Sequence, residues 1–87
     1  MLRITEVADG SGVLLKVEGK LRQPWVEELA RSARQPLPEG HGPIRLDLSS
    51  VTYADEAGVR LLRDLLRQGV EIAATSAFIA ALLRLED

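Results

Sequence analysis

Residues 44–72 read IRLDLSSVTYADEAGVRLLRDLLRQGVEI, and they decide the fold. Ile44, Leu46 and Leu48 alternate with Arg45 and Asp47, the period of a strand with one buried face. The spacing predicts a strand that ends in Asp47, followed by a short polar stretch. Asp55-Glu56-Ala57-Gly58 then opens an amphipathic helix from Glu56 to Arg67, with Leu61, Leu62, Leu65 and Leu66 on its apolar face. Gly69 is placed to end that helix, and Val70, Ile72 and Ala73 begin a second short strand. If the two strands are parallel, their crossover is right-handed. The acidic turn and the helix N-terminus then fall at one end of a parallel sheet. The first helical N–H groups lack intrahelical partners, so such a place suits binding.

Toward the N-terminus, Leu2, Ile4 and Val7 mark a half-buried strand. Asp9-Gly10-Ser11-Gly12 is a turn, and Val13, Leu15 and Val17 alternate with Leu14, Lys16 and Glu18 in a second strand. The two should form an antiparallel hairpin. Pro24 fits the first turn of a helix whose stripe is Val26, Leu29, Ala30 and Ala33, with Glu27 and Glu28 near its positive end. Trp25 is either a packing edge or a partly exposed contact. This helix should stop before Pro36, where Pro36, Pro38, Gly40, Gly42 and Pro43 make a punctuated connector. Beyond the second short strand, Ser76 can cap a last helix carrying Phe78, Ile79, Leu82, Leu83 and Leu85. The expected architecture is α/β, in the order β-β-α-β-α-β-α, as a single domain over residues 1–87.

Composition narrows the function. The chain has 87 residues and 46% apolar content, enough for one modest core. Oligomerisation or docking onto a partner would suit so small a core. Lys plus Arg number 11 against 13 Asp plus Glu, a balance that gives little long-range pull on nucleic acid. Cysteine is absent, which removes disulfides and thiolate metal sites and fits a reducing compartment. The N-terminal stretch lacks an apolar signal core, and no apolar run is long enough to span a bilayer. The expected location is the cytoplasm, without direct membrane insertion.

No phosphate-binding glycine loop and no nucleophile elbow occurs, and His41, the sole histidine, has no spaced ligand partner. No enzyme chemistry, metal or cofactor is therefore expected. Asp55 is the leading site candidate, either as a helix cap or as a contact. Glu56, at the first helical position, should project from an exposed corner. Gly58 permits close approach, to the sheet or to a partner. Arg60, Arg63 and Arg67 recur at helical spacing, as a solvated face or as a phosphate-binding one. Ser49 and Ser50 read as residues that cap or bridge the polar stretch.

The run 46–69 resembles the STAS domain family, which includes bacterial anti-sigma factor antagonists. Asp47-Leu48-Ser49, Val51, Asp55, Gly58 and the following leucines carry the resemblance, and the flanking elements match in order. It implies a mixed β-sheet with helices mainly on one side, and a non-enzymatic module that binds a protein. In the antagonists, the serine just before the motif glycine is the kinase target. Here that position is Ala57, preceded by Glu56, so no phosphorylation is expected there. Thr52 and Ser76 are the alternative acceptors. The chain is also similar to the compact STAS component of bacterial lipid-transport ABC systems, which binds an ATPase subunit. The implied partner is an anti-sigma factor serine kinase or an ABC ATPase, met by Asp55, Glu56, Ala57, Gly58, Arg60, Arg63 and Arg67. A nucleotide or small-ligand sensor is the competing class, opposed by the two carboxylates of Asp55 and Glu56.

Overall fold

In a computed structural model, residues 2–9, 12–34 and 44–85 are described. The elements are β1 (Leu2–Asp9), β2 (Gly12–Leu21), α1 (Trp25–Ala33), β3 (Ile44–Ala54), α2 (Glu56–Arg67), β4 (Glu71–Thr75) and α3 (Ala77–Leu85). They form one four-stranded sheet in the order β1-β2-β3-β4. The β1–β2 pair is antiparallel, with Asp9 opposite Gly12, while β2–β3 and β3–β4 are parallel. The expected element order and the mixed sheet are both present. The turn residues Gly10 and Ser11, the connector Pro36 to Pro43 and His41 lie outside the described residues.

Alternation places the core on one face. Val13, Leu15, Val17 and Leu21 of β2 and Ile44, Leu46 and Leu48 of β3 are buried. The helices cover this face, with α2 in the middle, touching α1 on one side and α3 on the other. Leu29 of α1, Leu62 and Leu65 of α2 and Ile79 of α3 close the core. Among the described residues, no helix covers the opposite face. There Arg3 stands opposite Glu18, Lys16 opposite Asp47, and Arg45 opposite Glu71. Opposite charges on neighbouring strands support pairing.

The strand expected to end in Asp47 instead runs on to Ala54. Its ladder with β2 shifts register twice, between Lys16 and Glu18 and between Gly19 and Lys20. Each shift moves the buried phase, so after Leu48 the inward residues are Val51 and Ala54, spaced by three. The segment that reads as a polar stretch is therefore bulged strand. Among the described residues, no helix is long and apolar enough to cross a membrane.

Candidate functional site

The strands β2, β3 and β4 run parallel, so α1, α2 and α3 all begin at the same pole, beyond the strand C-termini. Side-chain and backbone bonds lace these three beginnings together. Asp55 is the N-cap of α2, and its Oδ1 accepts from the Gly58 N–H at 2.7 Å. Its Oδ2 accepts from the Gln23 N–H at 3.1 Å, just before α1. The Asp55 N–H donates to the Leu21 carbonyl, the last residue of β2, at 3.0 Å. One carboxylate thus ties the β2–α1 turn to the β3–α2 turn. On the other side, the Ser76 hydroxyl donates to the Val51 carbonyl at 3.0 Å and accepts from the Ile79 N–H at 3.3 Å. Ser76 caps α3 and fastens it to β3.

Gly58 is buried, and its tolerance for close approach is used by the sheet. A Cβ there would lie 2.6 Å from the Leu21 carbonyl oxygen and 3.0 Å from Leu21 Cγ. Glu56 points outward, and its Oε1 accepts from Arg60 at 2.9 Å. With 88% of the Glu56 side chain and 70% of Arg60 exposed, this pair is worth only about 0.3–0.5 kcal/mol. Ala57 is half-buried against the core.

The remaining two arginines stand apart from this corner. At 1.5 Å rise per residue, Arg63 and Arg67 lie roughly 12 and 18 Å along the helix axis from Asp55. The Arg63 guanidinium donates to the Leu83 carbonyl at 2.6 Å, joining α2 to α3. Arg67 is exposed and reaches Asp64 at 3.4 Å. Arg63 and Arg84 also flank an open groove of about 280 Å³ between α2 and α3, floored by Leu66, Ala80 and Leu83.

Ser49 and Asp47 form a separate feature near the open face. Asp47 Oδ1 accepts from the Ser49 hydroxyl at 2.6 Å and from the Ser49 N–H at 3.0 Å. The Ser49 hydroxyl, then the Ser49 N–H, and to a smaller degree Lys16, hold the Asp47 carboxyl below its ordinary range. Both ends of this bond lie within β3, where it supports the bulged strand. Ser50 is exposed nearby. The Thr52 hydroxyl donates to the Gly19 carbonyl at 3.4 Å. No group of three or more His, Asp or Glu among the described residues could hold a metal ion.

The strand–turn–helix built on Asp47, Ser49, Asp55 and Gly58 sits inside a match that covers residues 4–87, to the family model described as Mlab, STAS domain. The chain belongs to the STAS domain family. Among solved structures, it is similar to the STAS domain of an anti-sigma factor antagonist from Rhodobacter sphaeroides. That alignment has 21% identity and a TM-score of 0.66, over 92% of this chain and 91% of the other. It is also similar to part of Mglu in its native form, with 18% identity and a TM-score of 0.57, covering 83% of this chain and 23% of that one. No curated protein matches it in sequence. At these identities the structural likenesses show the fold. As a STAS domain, the chain is a non-catalytic protein-interaction module.

Sequence reasoning missed the two aromatic side chains at the same pole. Tyr53 near the end of β3 is 42% exposed, and Phe78 in the first turn of α3 is 45% exposed. Apolar character alone places Phe78 in the core beside Ile79. In α3 Phe78 is turned outward, while its neighbour Ile79 is fully buried.

Proposed function

We propose that this STAS domain docks onto a protein partner through the pole where its three helices begin, and that the docking is not gated by phosphorylation at position 57. Glu56, Ala57 and Arg60 are the contact residues in this reading. Asp55 and Gly58 build the corner rather than touch the partner, because their bonds and contacts are spent on Gln23 and Leu21. The supporting observation is the lacing of that pole by Asp55 and Ser76, which fixes the surface before a partner arrives. Ala57 has no hydroxyl to modify.

The partner best supported is the ATPase subunit of a bacterial lipid-transport ABC system. The family model that matches is the one described as Mlab, and the absence of a phosphorylatable side chain at position 57 agrees with a partner that is not a serine kinase. An anti-sigma factor serine kinase is the second reading, favoured by the likeness to an anti-sigma factor antagonist. A calorimetric titration with each purified protein from the same organism separates them. The ATPase subunit should bind, and pre-incubation with the serine kinase and ATP should leave both the intact mass and the affinity unchanged. Ala57→Ser should gain a kinase-dependent phosphate. A phosphoserine on the unsubstituted chain that weakens binding severalfold would place the switch elsewhere and sink the ungated reading.

A further inference from the structure

We infer that the chain forms a two-fold dimer through its β4 edge, with the two β4 strands pairing antiparallel and α3 of each copy closing over the junction. This goes beyond the docking reading and does not depend on it. Among the described residues, β4 has a strand neighbour on one side only. The outer N–H and C=O groups of such an edge are a template for another strand. After Glu71, β4 carries no charge and no proline, two of the devices that blunt an edge. The other edge, β1, carries Arg3, Glu6 and Asp9. The helix layer is unfinished on the β4 side as well. There α3 is the outermost helix, beyond α2, and it packs on β3 more than on β4. Ile72 and Thr75 stand beside the inward Leu46 and Leu48, yet Ile72 is only half-buried and Thr75 is exposed. Around α3, Ala80, Leu83 and Arg84 line the groove against α2. At roughly 100° per residue, Phe78 and Leu82 fall on the opposite flank, toward the β4 edge. Phe78 is 45% exposed and Leu82 half-buried. A helix whose only polar residue is Arg84 is ordinarily covered all round.

A second copy is the occupant because one cover must meet two layers at once. It must offer a strand edge and, beside it, an apolar helix flank. This chain's own edge offers both, and a two-fold axis perpendicular to the sheet at β4 brings them together in an isologous contact. The four-stranded sheet then continues into its copy, with every helix on one side. The two β3 strands stand three strand spacings apart, roughly 14 Å. The α3 helices above them are thus further apart than the 8–10 Å or so of directly packed helices. Ile72, Phe78 and Leu82 of both copies fill the trough between them. Charge selects the antiparallel register. A parallel pairing would stack Glu71 on Glu71, whereas the antiparallel one sets Glu71 near the Thr75 end of the copy. The two carboxylates are then about 13 Å apart along the strands. A core this small gains from the added burial.

Val7 on β1 is 40% exposed and provides a control of similar exposure on the other edge. Sedimentation equilibrium of the purified full chain, over a wide range of concentration, measures the association. The mass should rise with concentration toward twice the 9.5 kDa of one chain. Ala73→Lys charges the exposed edge, and Phe78→Asp puts a carboxylate in the trough. Each should raise the dimer Kd by roughly tenfold or more, while Val7→Lys should stay within about twofold. Thermal melts by circular dichroism verify that each variant is folded. Amide exchange on the unsubstituted chain gives a reading that needs no variant. Protection of Ile72 to Thr75 should grow with protein concentration, and that of β1 should not. A mass of one chain at every concentration would overturn the dimer and leave this edge to a strand of different sequence. A dimer that survives both folded edge variants, or that protects β1 instead of β4, would overturn the assignment of its interface. Neither result touches the docking reading, which is tested on the ATPase subunit.

Discussion

At the scale of single residues, the motif Asp55 to Gly58 combines two requirements that act on different atoms. Asp55 must accept hydrogen bonds from Gln23 and Gly58, and Gly58 must leave room for the Leu21 carbonyl. Gly58→Ala sets two effects against each other. Alanine gains about 1 kcal/mol of helix propensity. The added Cβ meets a backbone oxygen at 2.6 Å, which cannot rotate away as a side-chain tip can. Overpacking of this kind costs about 1–3 kcal/mol, so a net loss of up to about 2 kcal/mol is expected in urea unfolding. Asp47 gives a test by pH. Its carboxyl is held low in the folded chain, so the native state binds fewer protons than the unfolded one. That contribution is present above the unfolded carboxyl's pKa and is lost as pH falls through the lowered folded one. Ser49→Ala removes the hydroxyl donor and should raise the Asp47 pKa toward the ordinary carboxylate range in a carboxyl NMR titration. An unmoved Asp47 would contradict the role given to that hydroxyl.

At the scale of elements, polar bonds join helix to helix as well as helix to sheet. Arg63 joins α2 to the end of α3 through the Leu83 carbonyl. Arg63→Met keeps the apolar stem and removes this charged donor, at an expected cost of about 1–2 kcal/mol. Amide exchange should speed up in α3 before it does in α2, whose C-terminus is closed independently. There the Val70 N–H reaches the Leu65 carbonyl and the Gly69 N–H reaches Leu66, with Gly69 at φ +99°. Equal protection of α3 in the variant and the parent would rule this tether out. The elements themselves are legible in the sequence where a single period governs them. Val13 to Val17, Ile44 to Leu48 and Leu61 to Leu65 all announce the face they bury. The second half of β3 is illegible for a physical reason. Two bulges shift its phase, and Val51 and Ala54 at a spacing of three resemble neither a strand nor a helix. The candidate site was half legible on the same grounds. A cap and a close-approach glycine follow from local chemistry, whereas the tie of Ser76 to Val51 joins residues 25 apart in the chain.

At the scale of the whole molecule, the two ends and the two faces of the sheet differ in what they present. The helix layer covers one face of the sheet, and opposed charges occupy the other. Three helix starts, one structural carboxylate and the chain's three aromatic residues meet at a single pole. Docking of the partner is proposed to occur at this pole. It is tested most directly by an amide chemical-shift map of the intact chain, recorded while the purified ATPase subunit is added to saturation. Shifts should concentrate at Trp25, Tyr53, Glu56, Ala57 and Phe78, with β1 and the outward residues Leu14 and Lys16 of β2 silent. Shifts centred instead on Lys16, Glu18 and Asp47, with the pole unchanged, would contradict it.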